Sequence, residues 1–167
     1  VRTGSASVMV NSSEINGVPV HANKYLLTDV LRKELGFEGV IVTDWEDIKR
    51  LNDRHNVAAT PREAVVMAIN AGIDMSMVPG DFSFYDLLIE AVKKGEVSMS
   101  RIDDAVKRIL VMKYKTGLFE NPYPEPASFG NFGKPEFQQY ALDAAPEAMT
   151  LLKNSDQVLP LAKNKKV

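Results

Sequence analysis

The sequence predicts an α/β protein assembled from consecutive βα units. Three apolar strand candidates begin near Ser7, Val40 and Ile73, at even spacing along the chain. After each comes a segment with apolar residues at helical spacing, closed by Gly36, Gly72 and Gly95 in turn. The middle strand, Val40-Ile41-Val42-Thr43, is entered through Gly39 and runs out on Asp44-Trp45. Its continuous apolar run is that of a parallel strand buried on both faces.

In chain order, Ser7-Val8-Met9-Val10 reads as a short strand. Residues 11–19 are rich in turn formers and read as a loop. Tyr25, Leu26, Val30 and Leu31 mark one face of a helix that Gly36 is placed to end. Beyond Asp44 a polar loop is expected to about Ala59. Thr60-Pro61-Arg62-Glu63 is a helix start: a threonine to cap, proline where the missing N–H does no harm, and glutamate at the third position. Val65, Val66 and Ile69 form the apolar side of that helix. Residues 73–77 are the third strand and 83–94 the next helix. Ser100-Arg101-Ile102-Asp103 opens another, with Ile102, Val106, Ile109, Leu110 and Tyr114 on one side and Gly117 past its end.

After Phe119 the composition changes. Asn121-Pro122-Tyr123-Pro124-Glu125-Pro126 is a linker signal, and residues 135–153 are expected to be largely helical. Pro146 lies inside that segment, so a kink or a new helix starting at Pro146 is expected there. Lys163, Lys165 and Lys166 suit a solvated turn, and Val167 suits the start of another strand. The division that follows is residues 1–119 as a βα portion and 120–167 as a Pro-rich linker and helix. Three βα units do not close a barrel of eight, and alone they leave two sheet edges and uncovered apolar faces. The reading is the C-terminal part of a (β/α)8 TIM-like barrel, with the linker leading towards a further domain.

The bulk numbers exclude several classes. The chain has 167 residues, is 45% hydrophobic and 25% charged, and carries a net charge of −2. That profile suits a globular domain and points to neither nucleic acid nor an anionic membrane surface as partner. The sequence holds no run of about 18 apolar residues of the kind a membrane span needs. With no cysteine there is no thiol catalysis, disulfide or thiolate metal site. No signal peptide is visible, though a processed start would hide one.

Asp44 is the strongest candidate for chemistry. A carboxylate where a buried strand ends costs free energy unless it is paired or used, and in α/β barrels catalytic groups stand at the C-terminal ends of the strands. Trp45 beside it offers a ring face on which a sugar can stack. Glu46 is read as a loop carboxylate and Asp74 as a hydrogen-bonded structural group. His21 and His55, far apart and without ligand spacing, are given surface or loop roles, and no metal or cofactor is expected.

At this point the residues are recognisable. Ser7-Val8-Met9, Ile15-Asn16-Gly17-Val18-Pro19, Leu26-Leu27-Thr28, Leu31-Arg32, Gly36-Phe37-Glu38-Gly39 and Thr43-Asp44-Trp45 stand in the order and at the spacing of glycoside hydrolase family 3. Ala71-Gly72-Ile73-Asp74-Met75, Ser100-Arg101-Ile102-Asp103-Asp104-Ala105, Gly117-Leu118-Phe119-Glu120-Asn121-Pro122-Tyr123 and Leu151-Leu152-Lys153-Asn154 continue the resemblance over nearly the whole chain.

The resemblance implies a retaining, exo-acting β-glycosidase of the β-glucosidase type. Asp44 maps to the family nucleophile, which forms a covalent glycosyl ester that water then hydrolyses. Trp45 maps to the tryptophan beside the sugar. Met9, near the end of the first strand, and Ser12, at a position where many relatives carry tyrosine, are the further candidate substrate contacts. The acid/base glutamate of such members lies in the second domain, and the earlier barrel strands carry most sugar-binding groups. The implied partners are therefore β-linked glucosides or oligosaccharides and the remaining portions of the same enzyme. The family suggests a secreted or periplasmic setting. One alternative is the β-N-acetylhexosaminidase branch, which usually has Asp-Asp where this chain has Asp44-Trp45. Another is a non-catalytic fragment, inactive without the rest of the enzyme.

Overall fold

Three strands form one parallel sheet in the computed structural model, which describes Val1 and residues 3–164. The chain divides into one unit from Val1 to Pro122 and another from Tyr123 onward. In the first unit, β1 (Ser7–Met9) leads into a small antiparallel hairpin, β2 (Glu14–Ile15) and β3 (Val18–Pro19). Residues 11–19, expected as loop, thus hold two short strands. Asn16 and Gly17 between them both take positive φ, 53° and 75°, the backbone that a tight two-residue hairpin turn demands. A short 3₁₀ turn (Val20–Ala22) and a wide helix (Tyr25–Glu34) follow. The helix closes with an i→i+5 bond from Leu35 N–H to Val30 O, the wider winding of a π-helix.

β4 (Val40–Trp45) lies between β1 and β5 (Met75–Met77), parallel to both. Ser7 pairs with Val40, Val8 with Ile41 and Met9 with Val42, while Val42 also pairs with Met75. Gly39, at the entrance to β4, is held by close approach. A Cβ there would stand 2.6 Å from the Phe37 ring and 2.8 Å from the Ala6 carbonyl carbon.

The expected polar loop after Asp44 instead holds a helix, α1 (Asp47–Asp53). Ile48 and Leu51, one turn apart, are both buried. Packed against α2, they supply an apolar stripe that the surrounding charges obscure in the sequence. α2 (Pro61–Ala71) starts as expected: the Glu63 N–H donates to Thr60 Oγ1 at 3.2 Å, and Glu63 Oε2 accepts the Ala59 N–H at 2.7 Å. α3 (Ser83–Lys93) and α4 (Met99–Lys115) follow. The cap of α4 is Ser98, which accepts the Arg101 N–H, so the helix opens two residues before the expected Ser100.

The core lies between the sheet and these helices. Ile41, Leu51, Val65, Ile69, Ile73 and Val97 are each no more than 3% exposed. Asp74 sits within it as a buried structural carboxylate. Oδ2 accepts from Arg32 at 2.5 Å and from the Ile41 N–H at 2.9 Å, and Oδ1 accepts from Arg101 at 2.7 Å. The two guanidiniums also hold main-chain carbonyls at Gly39 and Phe37 (Arg32) and at Ile69 and Ile73 (Arg101). One carboxylate therefore ties the π-helix, β4, the entry to β5 and α4 together.

The second unit has a 3₁₀ segment (Pro126–Asn131) and α5 (Pro135–Ala148). α5 runs through Pro146 as one helix, and no new helix begins there. Proline in the last turn removes only one i→i−4 bond, which limits the break. Lys163 and Asn164 form a turn; the expected strand start at Val167, and Lys165 and Lys166, lie outside the described residues.

Candidate active site

The site is built where β4 leaves the sheet. Val42 pairs with Met75 but Trp45 pairs with Met77, so three steps on β4 match two on β5. This bulge falls at Thr43 and Asp44. Thr43, fully buried, uses its Oγ1 to accept the Met77 N–H at 2.7 Å, and the Glu46 N–H donates to Met77 O at 2.9 Å. The ladder is thereby satisfied while the backbone at Asp44 is re-aimed, which is what bulges do beside functional sites. Glu46 then adopts a left-handed conformation, φ 58° and ψ 15°, at the turn into α1, an uncommon state for a residue other than glycine, asparagine or aspartate.

Asp44 is partly exposed and its two oxygens are separately held. Oδ1 accepts the Trp45 N–H at 2.6 Å, and Oδ2 accepts from Ser12 Oγ at 3.0 Å. The Trp45 N–H first, and the Ser12 hydroxyl second, hold the Asp44 carboxyl below the usual carboxylate range, with Arg50 adding to the effect. The group is an ionised, fixed acceptor that still faces solvent. Ser12 comes from the segment after β1 and Asp44 from the end of β4, so the pair exists only because those strands are neighbours.

Trp45 is about half exposed, and its backbone N–H is engaged with Asp44. Met9 is equally exposed. It pairs with Val42, two residues before Asp44, so Met9 and Val42 share a face of the sheet. Asp44, Ser12, Glu14, Arg54 and His55 line a shallow open cleft. His55 Nδ1 stands 2.8 Å from Glu14 Oε1, which ties the hairpin to the segment after α1.

His21 departs from the surface or loop role expected of it. It is 3% exposed, directly behind Asp44. Its Nε2 accepts the Asp44 N–H at 3.4 Å and stands 3.6 Å from Asp47 Oδ2. Asp47, 2% exposed, accepts from Arg50 at 2.7 Å through Oδ1. Sequence reasoning missed Asp47 and Arg50 because α1 was missed. The buried spacing of Ile48 and Leu51 is the signal that would have found them. Among the described residues, no group of three or more His, Asp and Glu is arranged to hold a metal, and no helix is long and apolar enough to cross a membrane.

The fold and site define an α/β domain with a polar cleft and an ionised carboxylate at the C-terminal end of a central parallel strand. The chain belongs to glycosyl hydrolase family 3: residues 1–112 match the family's N-terminal domain. It is 49% identical over 163 residues to the lysosomal beta glucosidase of Dictyostelium discoideum, covering 96% of this chain and 20% of that protein. It is 39% identical over 164 residues to a beta-xylosidase of Formosa agariphila, covering 95% and 23%. Among solved structures, the beta-glucosidase from Listeria innocua in complex with glucose superposes with a TM-score of 0.77 at 33% identity, covering 96% of this chain and 22% of that one. The chain thus spans about a fifth of the length of these relatives.

Proposed function

We propose that this chain carries the nucleophile of a retaining, exo-acting β-glycosidase that hydrolyses terminal β-D-glucosyl residues. The observation that carries the reading is Asp44 itself: ionised, fixed by Ser12 and the Trp45 N–H, and open to solvent at the end of β4. Asp44 attacks the anomeric carbon as the glycosidic bond breaks, and the leaving oxygen takes a proton from an acid outside this chain. Water, deprotonated by the same group, then cleaves the glycosyl-Asp44 ester and restores the carboxylate. Trp45 offers its exposed ring as the stacking surface, and Ser12 holds the nucleophile so that one oxygen stays aimed. Met9, on the neighbouring strand, contacts the sugar or its aglycone.

In this reading residues 1–119 are a later portion of a TIM-like barrel, and 120–167 are the linker and helix towards a second domain. Among the described residues the three-stranded sheet leaves both of its edges, β1 and β5, unpaired, and the rest of the barrel supplies their partners and most of the sugar contacts. The match to relatives of which this chain covers only 20% and 23% supports this. The Asp44-Trp45 pair argues against the β-N-acetylhexosaminidase branch.

The test is made in the whole enzyme. Asp44→Ala should abolish turnover of an aryl β-glucoside, and a 2-deoxy-2-fluoroglucoside should label Asp44. Because one similar relative is a beta-xylosidase, the aryl β-xyloside is assayed beside it. Label on another carboxylate, or full activity in Asp44→Ala, would refute the assignment.

A further inference from the structure

The Asp47 carboxylate contains a contradiction in its surroundings. Its residue is 2% exposed, Oδ1 is taken by Arg50, and Oδ2 has no hydrogen-bond partner. A buried carboxylate oxygen without a partner forfeits its hydration with nothing in return, so such an atom calls for an explanation. The nearest basic atom is His21 Nε2, at 3.6 Å, just beyond hydrogen-bond reach. That same nitrogen is what accepts the Asp44 N–H. To accept, it must be unprotonated, the imidazole being neutral with its proton on Nδ1. If Nε2 takes up a proton it can no longer accept from Asp44, and it becomes the donor that Asp47 Oδ2 lacks. One nitrogen therefore stands at a fork between the main chain of the nucleophile and a buried anion.

We propose that His21 is a positioning residue for Asp44, its neutral Nε2 holding the Asp44 main chain, and that Asp47 is the anion that draws His21 away when Nε2 is protonated. This rests on the reading of Asp44 as nucleophile. Four groups set the balance at His21. Asp44 comes from β4, Asp47 and Arg50 from α1, and His55 from the segment after α1. Burial pushes the His21 imidazole below its ordinary value, and Asp47, then Asp44, pull it back up. The neutral, gripping form is thus favoured near neutrality, and the grip is lost as pH falls through the His21 value. The Asp44 side chain is already fixed by Ser12 and the Trp45 N–H. What His21 adds is a hold on the backbone from which that side chain projects, at the bulge where the strand's own pairing is irregular.

The test uses the whole enzyme with His21→Ala, His21→Gln and Asp47→Asn. The readouts are kcat and KM on an aryl β-glucoside across pH, the rate of labelling by a 2-deoxy-2-fluoroglucoside, and a thermal melt. A misplacement of about 1 Å costs about 100-fold in rate, so His21→Ala should lower kcat and labelling about 10- to 100-fold with KM changed less than about threefold. Glutamine offers an amide oxygen to the same N–H, and His21→Gln should recover most of the loss. Asp47→Asn removes the charge that raises the His21 value, and the acid limb of kcat/KM should move to lower pH. A folded His21→Ala enzyme with unchanged kcat overturns the proposal, as does equal loss in the Ala and Gln variants or an unmoved acid limb in Asp47→Asn. If His21→Ala does not fold, the Gln and Asn variants decide by the same criteria. A wild-type enzyme labelled at Asp44, with these variants unaffected, sinks the role of His21 alone. Label at another residue sinks the reading of Asp44 and this proposal with it.

Discussion

Ser12 Oγ donates to Asp44 Oδ2 across 32 residues of sequence, at 3.0 Å. The bond joins the segment after β1 to the end of β4, and it is one of two that keep the Asp44 carboxyl acidic. Ser12 is therefore part of the electrostatic setting of the proposed nucleophile, and it lines the cleft beside it.

Ser12→Ala should raise the Asp44 value back towards that of a free aspartate without reaching it, because the Trp45 N–H is the larger influence. The sign follows directly. Asp44 is depressed, so its ionised form, and any stability that ionisation contributes, persists above the unfolded-chain value and is lost as pH falls through the lowered one. In the variant that loss comes at higher pH. The expected outcome is a lowered kcat at neutral pH, because Oδ2 loses its hold, together with an upward shift of the Asp44 ionisation in the acid limb of kcat/KM, separate from the ionisation of His21, read from a pH–rate profile of the whole enzyme.

Asp74→Asn should be costly to stability and not to chemistry. The substitution leaves Arg32 and Arg101, whose side chains are 12% and 17% exposed, without the anion between them. Removing one partner of a buried ion pair costs about 3–5 kcal/mol. Denaturant melts of the whole enzyme should show that loss, while labelling of Asp44 in the surviving folded fraction proceeds at the wild-type rate. A loss below about 1 kcal/mol would show that the network contributes little.

Gly39→Ala tests the entry to β4. The added methyl would meet the Ala6 carbonyl and the Phe37 ring, and overpacking of this kind costs about 1–3 kcal/mol. The Ala6 carbonyl accepts the Val40 N–H where the β1–β4 pairing begins, so the strain should also loosen the Ser12–Asp44 bond. The check is a lowered melting temperature accompanied by a raised acid limb.

The isolated 167 residues should show no turnover of an aryl β-glucoside and should aggregate. Among the described residues both edges of the three-stranded sheet are open, and Met9, Met75, Tyr85, Leu110 and Tyr114 are large apolar side chains left about half or more exposed. The proposed reading puts the general acid outside this chain, and losing such an acid costs about 10²–10⁴-fold in rate. Light scattering and a fluorogenic assay of the purified chain decide this. A cooperative monomeric melt or robust hydrolysis would contradict it.

Much of this architecture was legible in the sequence because it rests on local signals. The strand Val40–Thr43, the capped start at Thr60-Pro61 and the closing glycines carry their physics in a few adjacent residues. α1 was not legible as a helix because only Ile48 and Leu51 mark its apolar side among seven mostly charged residues. A helix that short is held by packing and not by propensity. The β2–β3 hairpin was hidden in a turn-rich stretch although Asn16-Gly17 is a hairpin signal. His21 was misplaced for a different reason: burial is a property of the assembled layers, and no local pattern distinguishes a buried histidine from a solvated one.

What the sequence by itself determined is the βα order, the family, and Asp44-Trp45 at the end of a strand. Those follow from short-range periodicity and from motifs that are contiguous in the chain. Only the tertiary structure decided how Asp44 is held. The bulge at Thr43, the Ser12 hydroxyl, the His21 ring and the unpartnered oxygen of Asp47 come together through strand pairing and helix packing. Hydrogen bonds between residues tens of positions apart depend on distances that the fold alone sets.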